Sequence, residues 1–210
     1  MRRLATFGLA AFLALQISSA AHAALIAQFT GTTPSGSNTS YNYNLLFSTQ
    51  NGVDRLEAGS GSINPGAIGS ADFITLYDVG STAPGGNFVS ATAGAGFSAS
   101  TQNLGINAAQ TLPIDDALLT DVTFKYTGPT ISADTVFPGF SIVVNSNNGT
   151  TLKQFTGQYT DNQGPELNTK IGEIGLVAVP AGGSIPEPGT VLMGMLMGMC
   201  GLLSRRAARR

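Results

Sequence analysis

The chain has 210 residues and a net charge of −2, and it contains one histidine, one cysteine and no tryptophan. His22 and Cys200 lie near the two ends, so the long segment between them contains neither residue type. Nucleophilic systems of the Ser-His or Cys-His kind, zinc sites that need histidine or cysteine, and disulfide bonds are therefore excluded from that segment.

The start of the chain has the pattern of a secretory signal peptide. Two arginines precede an apolar stretch over residues 4–17, and Ala21 and Ala23 then stand in the small-x-small order that signal peptidase cleaves. The pattern predicts a signal peptide over residues 1–23, with signal peptidase as a processing partner. It makes Ala24 the first residue of the mature, exported chain.

The segment that follows is acidic. Residues 24–185 contain four basic residues against eleven aspartates and glutamates, which gives this segment a net charge of −7. A protein of this charge repels phosphate backbones and has no electrostatic footprint for nucleic acid. Its field instead favours divalent cations or basic partners.

Short alternating runs of apolar and polar residues dominate residues 24–180, and long helical patterns are missing. In residues 41–48, every second residue is apolar (Tyr41, Tyr43, Leu45 and Phe47) and all but one of the residues between them are polar, which is typical of a half-buried strand. The other predicted strands cover residues 25–30, 53–58, 72–79, 118–127, 137–145, 152–159 and 170–179, with one or two irregular strands over 80–110. Asn51-Gly52 predicts a tight hairpin between the strands over residues 41–48 and 53–58.

These eight to ten short strands predict an all-β fold. About 160 residues suit one domain, and turn signals between short strands favour a single β-sandwich that is jelly-roll-like. In the clearest predicted strand, Val122, Phe124 and Tyr126 are expected to face the core, while Thr123 and Lys125 face outwards. The five tyrosines are expected to pack in the core, since most alternate with apolar neighbours.

The last part of the chain combines three units in a fixed order. Residues 181–188 form a linker that ends in a proline-rich hinge, which proline holds extended. Residues 189–204 carry no charge and would span about 24 Å as a helix, short for a hydrocarbon core of about 30 Å. Residues 205–210 form a basic cap, which marks the cytoplasmic end of a transmembrane helix. The hinge is Pro186, Glu187 and Pro188, and the cap arginines are Arg205, Arg206, Arg209 and Arg210.

This order of units resembles the PEP-CTERM sorting signal of Gram-negative bacteria, over about an eighth of the chain. The resemblance implies a transient inner-membrane intermediate that an exosortase, a membrane protease-transpeptidase, cleaves near Pro-Glu-Pro. The body would then be released or attached at the cell surface, in a setting of exopolysaccharide and biofilm formation. An ordinary single-pass anchor is the alternative. The apolar run departs from the usual pattern in being short and rich in methionine.

Asp115 and Asp116, with Asp121 nearby, are the densest carboxylates of the body. Calcium takes six to eight oxygen ligands, so two adjacent acids in a loop predict a weak calcium site with a dissociation constant of about 10⁻⁴–10⁻³ M. Residues 161–164 form a second acidic, amide-rich turn. Solvated loop acids are the alternative for both places, and no other cofactor is expected.

Three functions remain open from the sequence. The first is a non-enzymatic protein of the cell surface or extracellular matrix that is sorted by an exosortase. The second is an adhesive module that binds carbohydrate or calcium. The third is an extracellular hydrolase that uses only carboxylates, since a glycosidase needs two of them.

Overall fold

The computed structural model describes residues 24–49, 52–59, 70–82, 86–145, 149–163 and 167–181. Within these ranges the chain forms ten β-strands and no helix, so the prediction of an all-β body is confirmed. In chain order the strands are β1 (Ala24–Ser35), β2 (Asn38–Ser48), β3 (Asp54–Arg55), β4 (Phe73–Gly80), β5 (Phe88–Thr92), β6 (Phe97–Gln102), β7 (Thr120–Tyr126), β8 (Thr135–Val144), β9 (Thr150–Asp161) and β10 (Lys170–Pro180).

The predicted signal peptide, the hinge, the apolar run and the basic cap lie outside the described residues. In the part of the chain that the structure describes, no helix has the length and apolar character needed to cross a membrane.

The strands form two antiparallel sheets in a sandwich-like arrangement. One sheet has the strand order β1-β2-β8-β5, and the other has the order β10-β9-β4-β7-β6, with β3 paired to β9. The chain crosses between the sheets several times, because β4, β5, β6 and β8 do not follow one another within one sheet.

The core lies between the two sheets and is built from their alternating apolar residues. In β2, Tyr41, Tyr43 and Phe47 are buried as the alternation predicts. Across the sheets, the rings of Phe124 on β7 and Phe140 on β8 meet edge to face with centroids 5.0 Å apart. All five tyrosines are buried, and four of them, Tyr41, Tyr43, Tyr126 and Tyr159, pack in the core as predicted, whereas Tyr77 is buried on the opposite face of β4.

The outer face of the larger sheet is covered by the segment between β6 and β7, residues 103–119, which we call the cover loop. The hydroxyls of Thr75 and Tyr77 on β4 donate to the carbonyl of Ile106 at 3.0 and 2.9 Å. Gly105 lies so close to the sheet that a Cβ there would be 2.1 Å from the Tyr77 ring. All eight residues of β4 are consequently buried.

The predicted hairpin at Asn51-Gly52 is wrong. β2 pairs with β1 and β8, whereas β3 pairs with β9 in the other sheet, so the turn between them carries the chain across the sandwich. The described half of the turn closes where Gly52, with φ 84°, donates its N–H to the carbonyl of Thr49 at 3.1 Å. An Asn-Gly pair favours a tight turn, but it does not select the strand that pairs next.

Candidate cation site

Three carboxylates meet where β4 ends. Asp78 belongs to β4, Asp121 to β7 and Asp115 to the cover loop, and one oxygen from each lies within 4.8 Å of the other two. Asp121 is 0% exposed and Asp78 is 5% exposed, while Asp115 is half-buried. Two strands and a loop therefore place three acids in one largely buried group, which we call the acid group.

An irregularity in the sheet brings these side chains together. The β4–β7 ladder runs regularly up to the pair Leu76–Val122 and resumes only at Gly80–Thr120, so three residues of β4 stand opposite Asp121 alone. Asp78 lies within this bulge and adopts a left-handed conformation with φ 55°, which aspartate tolerates better than most residues. Its N–H leaves the ladder and donates to Oδ1 of Asp121 at 2.8 Å.

Some oxygens of the acid group accept hydrogen bonds from neighbouring residues, and two others do not. Oδ1 of Asp78 accepts the N–H of Asp116 at 3.0 Å, and its Oδ2 accepts the Nζ of Lys153 at 2.8 Å. Oδ2 of Asp115 accepts the N–H of Gly105 at 2.8 Å. Oδ1 of Asp115 and Oδ2 of Asp121 are buried and accept no N–H or hydroxyl of another described residue, so they can hydrogen-bond only between the two carboxyl groups, when one of these is protonated.

The electrostatics follow from this arrangement. Burial is the main cause that raises the pKa of Asp121 to about 8; the charges of Asp115 and Asp78 and a side-chain hydrogen bond with Asp115 act in the same direction, and the hydrogen bond from the Asp78 N–H acts against them. The ion pair that the structure shows for the acid group is the one between Asp78 and Lys153, whose side chain is 34% exposed. The group thus carries more carboxylates than its cation balances.

The structure places the two predicted calcium ligands differently. Asp115 joins the acid group, but the exposed carboxylate of Asp116 turns back and accepts the N–H of Leu118 at 3.0 Å. Asp116 supports the group through its backbone N–H instead. Sequence reasoning missed Asp78 as a partner. A single acid inside the apolar strand β4 was the available signal, because buried aspartates are rare without a partner.

The second predicted acidic turn makes hydrogen bonds within itself and with neighbouring residues. Oδ1 of Asp161 accepts the N–H of Gln163 at 2.7 Å. The amide oxygen of Asn162 accepts Nη1 of Arg55 at 2.8 Å, and its backbone N–H donates to Val53 at 2.7 Å. These contacts engage Oδ1 of Asp161 and the amide oxygen of Asn162.

Comparison with known proteins adds no precedent for the site. Neither the protein-family models, nor the curated proteins, nor the solved structures contain a match to this chain. The residues of the predicted processing sites, Ala21 and Ala23 at one end and the Pro-Glu-Pro hinge with its arginines at the other, lie outside the described residues. The sorting route therefore stays a prediction.

Proposed function

We propose that this protein is an exported, non-enzymatic β-sandwich that an exosortase sorts to the cell surface or the extracellular matrix. The supporting observation is the position of the fold between the two predicted processing signals. β1 begins at Ala24, which pairs with Ser48, and the described fold ends at Ala181, whose N–H donates to Gly149 at 3.0 Å. Loss of residues 1–23 and of the tail beyond the hinge would leave every described strand intact.

The burial of the acid group supports a role other than hydrolysis. A glycosidase holds the bond that it cleaves between two carboxylates, which must therefore be open to a sugar chain. Asp121 is 0% exposed and Asp78 is 5% exposed, so a polysaccharide does not reach between them in this structure. The acidic body also contains no histidine or cysteine that would supply another nucleophilic system.

In this proposal the two ends of the chain are targeting signals. Residues 189–204 hold the exported chain transiently in the inner membrane, and the arginines of residues 205–210 remain on the cytoplasmic side. Cleavage near Pro186–Pro188 then frees the body outside the membrane. Its expected surroundings are exopolysaccharide and biofilm matrix.

Mass spectrometry of the mature protein tests the sorting route. We expect the C-terminal peptide of protein from exosortase-positive cells to end near the hinge, without residues 191–210. An exosortase-deficient strain should retain the tail. Recovery of an intact C-terminus from mature protein in the positive strain would refute the proposal.

Substitution of the basic cap gives a matched pair of variants. Changing Arg205, Arg206, Arg209 and Arg210 to serine removes the charges that orient the apolar run, so we expect unprocessed chain to be secreted. Changing the same four residues to lysine keeps the charges and should keep processing. Equal processing of the serine and lysine variants would contradict the assigned role of the cap.

A further inference from the structure

Two oxygens of the acid group lack the hydrogen bonds that buried carboxylates need. Oδ2 of Asp121 belongs to a side chain that is 0% exposed, and Oδ1 of Asp115 is also buried; neither accepts an N–H or hydroxyl of another described residue, and through these two oxygens the carboxyl groups hydrogen-bond only to each other, when one of them carries a proton. A buried carboxylate oxygen without a donor is costly, because it has lost water and gained nothing in exchange. Both oxygens belong to residues whose carboxylates converge within 4.8 Å.

We propose that Asp78, Asp115 and Asp121 bind a calcium ion, which ties the cover loop to β4 and β7. This site goes beyond the proposed sorting function and does not depend on it. The ion would give the two unpartnered oxygens a positive partner at the point where carboxylates outnumber cations. It would also join a loop residue, Asp115, to two strand residues.

The chemistry of the donors selects the ion. The acid group offers oxygen only, and the body has no histidine or cysteine, so a hard cation fits and zinc does not. The three oxygens lie within 4.8 Å of one another, which is close enough for one cation to contact all three. Magnesium demands near-ideal octahedral geometry and keeps several of its waters, whereas calcium accepts flexible geometries, so a largely buried group of carboxylates favours calcium.

The surroundings predict a weak site. Lys153 already donates to Oδ2 of Asp78 at 2.8 Å, so an ion competes with this ammonium group or is repelled by it. Three carboxylates supply fewer ligands than the six to eight that calcium takes, and water would have to enter beside the half-buried Asp115. We expect a dissociation constant in the range of extracellular modules, about 10⁻⁴–10⁻³ M.

Thermal unfolding of the purified full-length chain in mild detergent tests the site. Calcium at about 10 mM should raise the Tm of the wild type by about 3–6 °C, and magnesium should raise it less. Asp121→Asn should lose the calcium shift. Asp116→Asn, which changes the adjacent exposed carboxylate, should keep it. No shift in the wild type, an equal shift in Asp121→Asn, or an equal effect of magnesium would overturn the assignment.

Equilibrium dialysis against radioactive calcium measures binding directly and does not rely on a change in stability. We expect one ion per wild-type chain and none above background for Asp115→Asn, a variant of the half-buried ligand that also serves if Asp121→Asn does not fold. Binding by Asp115→Asn at the wild-type level would overturn the proposal. C-terminal processing is measured in a separate experiment, by mass spectrometry. A negative result for calcium binding can therefore be distinguished from a negative result for the sorting route.

Discussion

Buried acids lie at both ends of β4. At one end neighbouring cations balance their charge, and at the other end they do not. Asp72, just before the strand, is 0% exposed and accepts the Nζ of Lys170 at 2.8 Å and the N–H of Glu57 at 2.7 Å. Glu57 in turn contacts Lys170 at 3.2 Å and Arg55 at 2.9 Å. Two carboxylates therefore face two cations at this end.

At the other end, three carboxylates face Lys153, and two of their oxygens accept no N–H or hydroxyl of another described residue. Burial raises the pKa of Asp72 to about 6 against the hydrogen bond and charge of Lys170, whereas it raises the pKa of Asp121 to about 8 with neighbouring carboxylates adding to the shift. Burial is similar at the two ends, so the difference comes from the neighbours. A bound cation is expected where the chain's own donors do not pair with every buried carboxylate oxygen.

The largest expected effect is the loss of a cation at the compensated end. Lys170→Met leaves Asp72 buried without its ammonium partner, which should lower the free energy of unfolding by about 3–5 kcal/mol. Urea denaturation of the purified chain measures this. Lys153→Met is the matched control at the other end, and it should lower the free energy by less than about 1 kcal/mol because its side chain is 34% exposed. Equal losses would remove the distinction between the two ends.

Neutralising one acid at each end should change stability in opposite directions. Asp72→Asn weakens the contact with Lys170 and should destabilise the fold by about 2–3 kcal/mol. Asp121→Asn removes a buried charge and offers an amide donor to Asp115, so without calcium it should stabilise by about 1 kcal/mol. The comparison is best made at pH 9 with a chelator present. Two changes of the same sign would show that the ends do not differ as described.

The pH dependence of stability separates the two ends further. Asp121 has a folded-state pKa of about 8, above its ordinary value, so the folded chain holds a proton that the unfolded chain has released. Its contribution to stability is full below about pH 4 and is lost as the pH rises through 8, with a slope of at most about 1.4 kcal/mol per pH unit. The charged groups around it are Asp78, Asp115 and Lys153, with Tyr77 close by.

Urea denaturation between pH 5 and 9 in chelator, for the wild type and Asp121→Asn, isolates this contribution as the difference between the two curves. We expect the difference to grow with pH up to about 8 and then to level off. A difference independent of pH would mean that Asp121 ionises in the same way in the folded and unfolded chains.

The smallest expected effect concerns calcium affinity. Lys153→Met removes a positive charge in contact with Asp78, which should lower the calcium dissociation constant by about three- to tenfold. Lys125→Met is the control, because Lys125 pairs with Phe73 at the far end of β4 and should leave the affinity unchanged. Equilibrium dialysis measures both. An unchanged affinity in Lys153→Met would place the ion away from Asp78.

Local alternation predicted most of the strands and their inward faces. Val122, Phe124 and Tyr126 are buried as expected, because a strand on the core fixes the direction of every second side chain. The outward Thr123 is also 0% exposed, which the pattern did not predict. Thr123 lies on the face of the sheet that carries Thr75, whose hydroxyl is 2.8 Å from its own and contacts the cover loop, and Gln102 donates to it at 2.6 Å. The cover loop has no regular period that reveals where it packs.

The acid group shows the same limit of sequence-based prediction, here for a functional site. Asp115 was predicted from the local density of acids, but its partners come from two strands that pair through non-local contacts. Their adjacency predicts one shared site for Asp115 and Asp116, but the carboxylate of Asp116 accepts the N–H of Leu118 instead. The spacing of residues along a chain predicts the direction of side chains within one strand, and the order of strands in a sheet decides which ones meet.

β4 is covered on both faces and paired on both edges, which has a consequence for hydrogen exchange. The strand lies between β9 and β7, the core covers one of its faces and the cover loop covers the other. Its amide hydrogens exchange with deuterium only when a large part of the body opens, whereas those of the edge strand β6 exchange through local fraying. A calcium ion that pins Asp115 would therefore slow exchange first in the cover loop and last in β4.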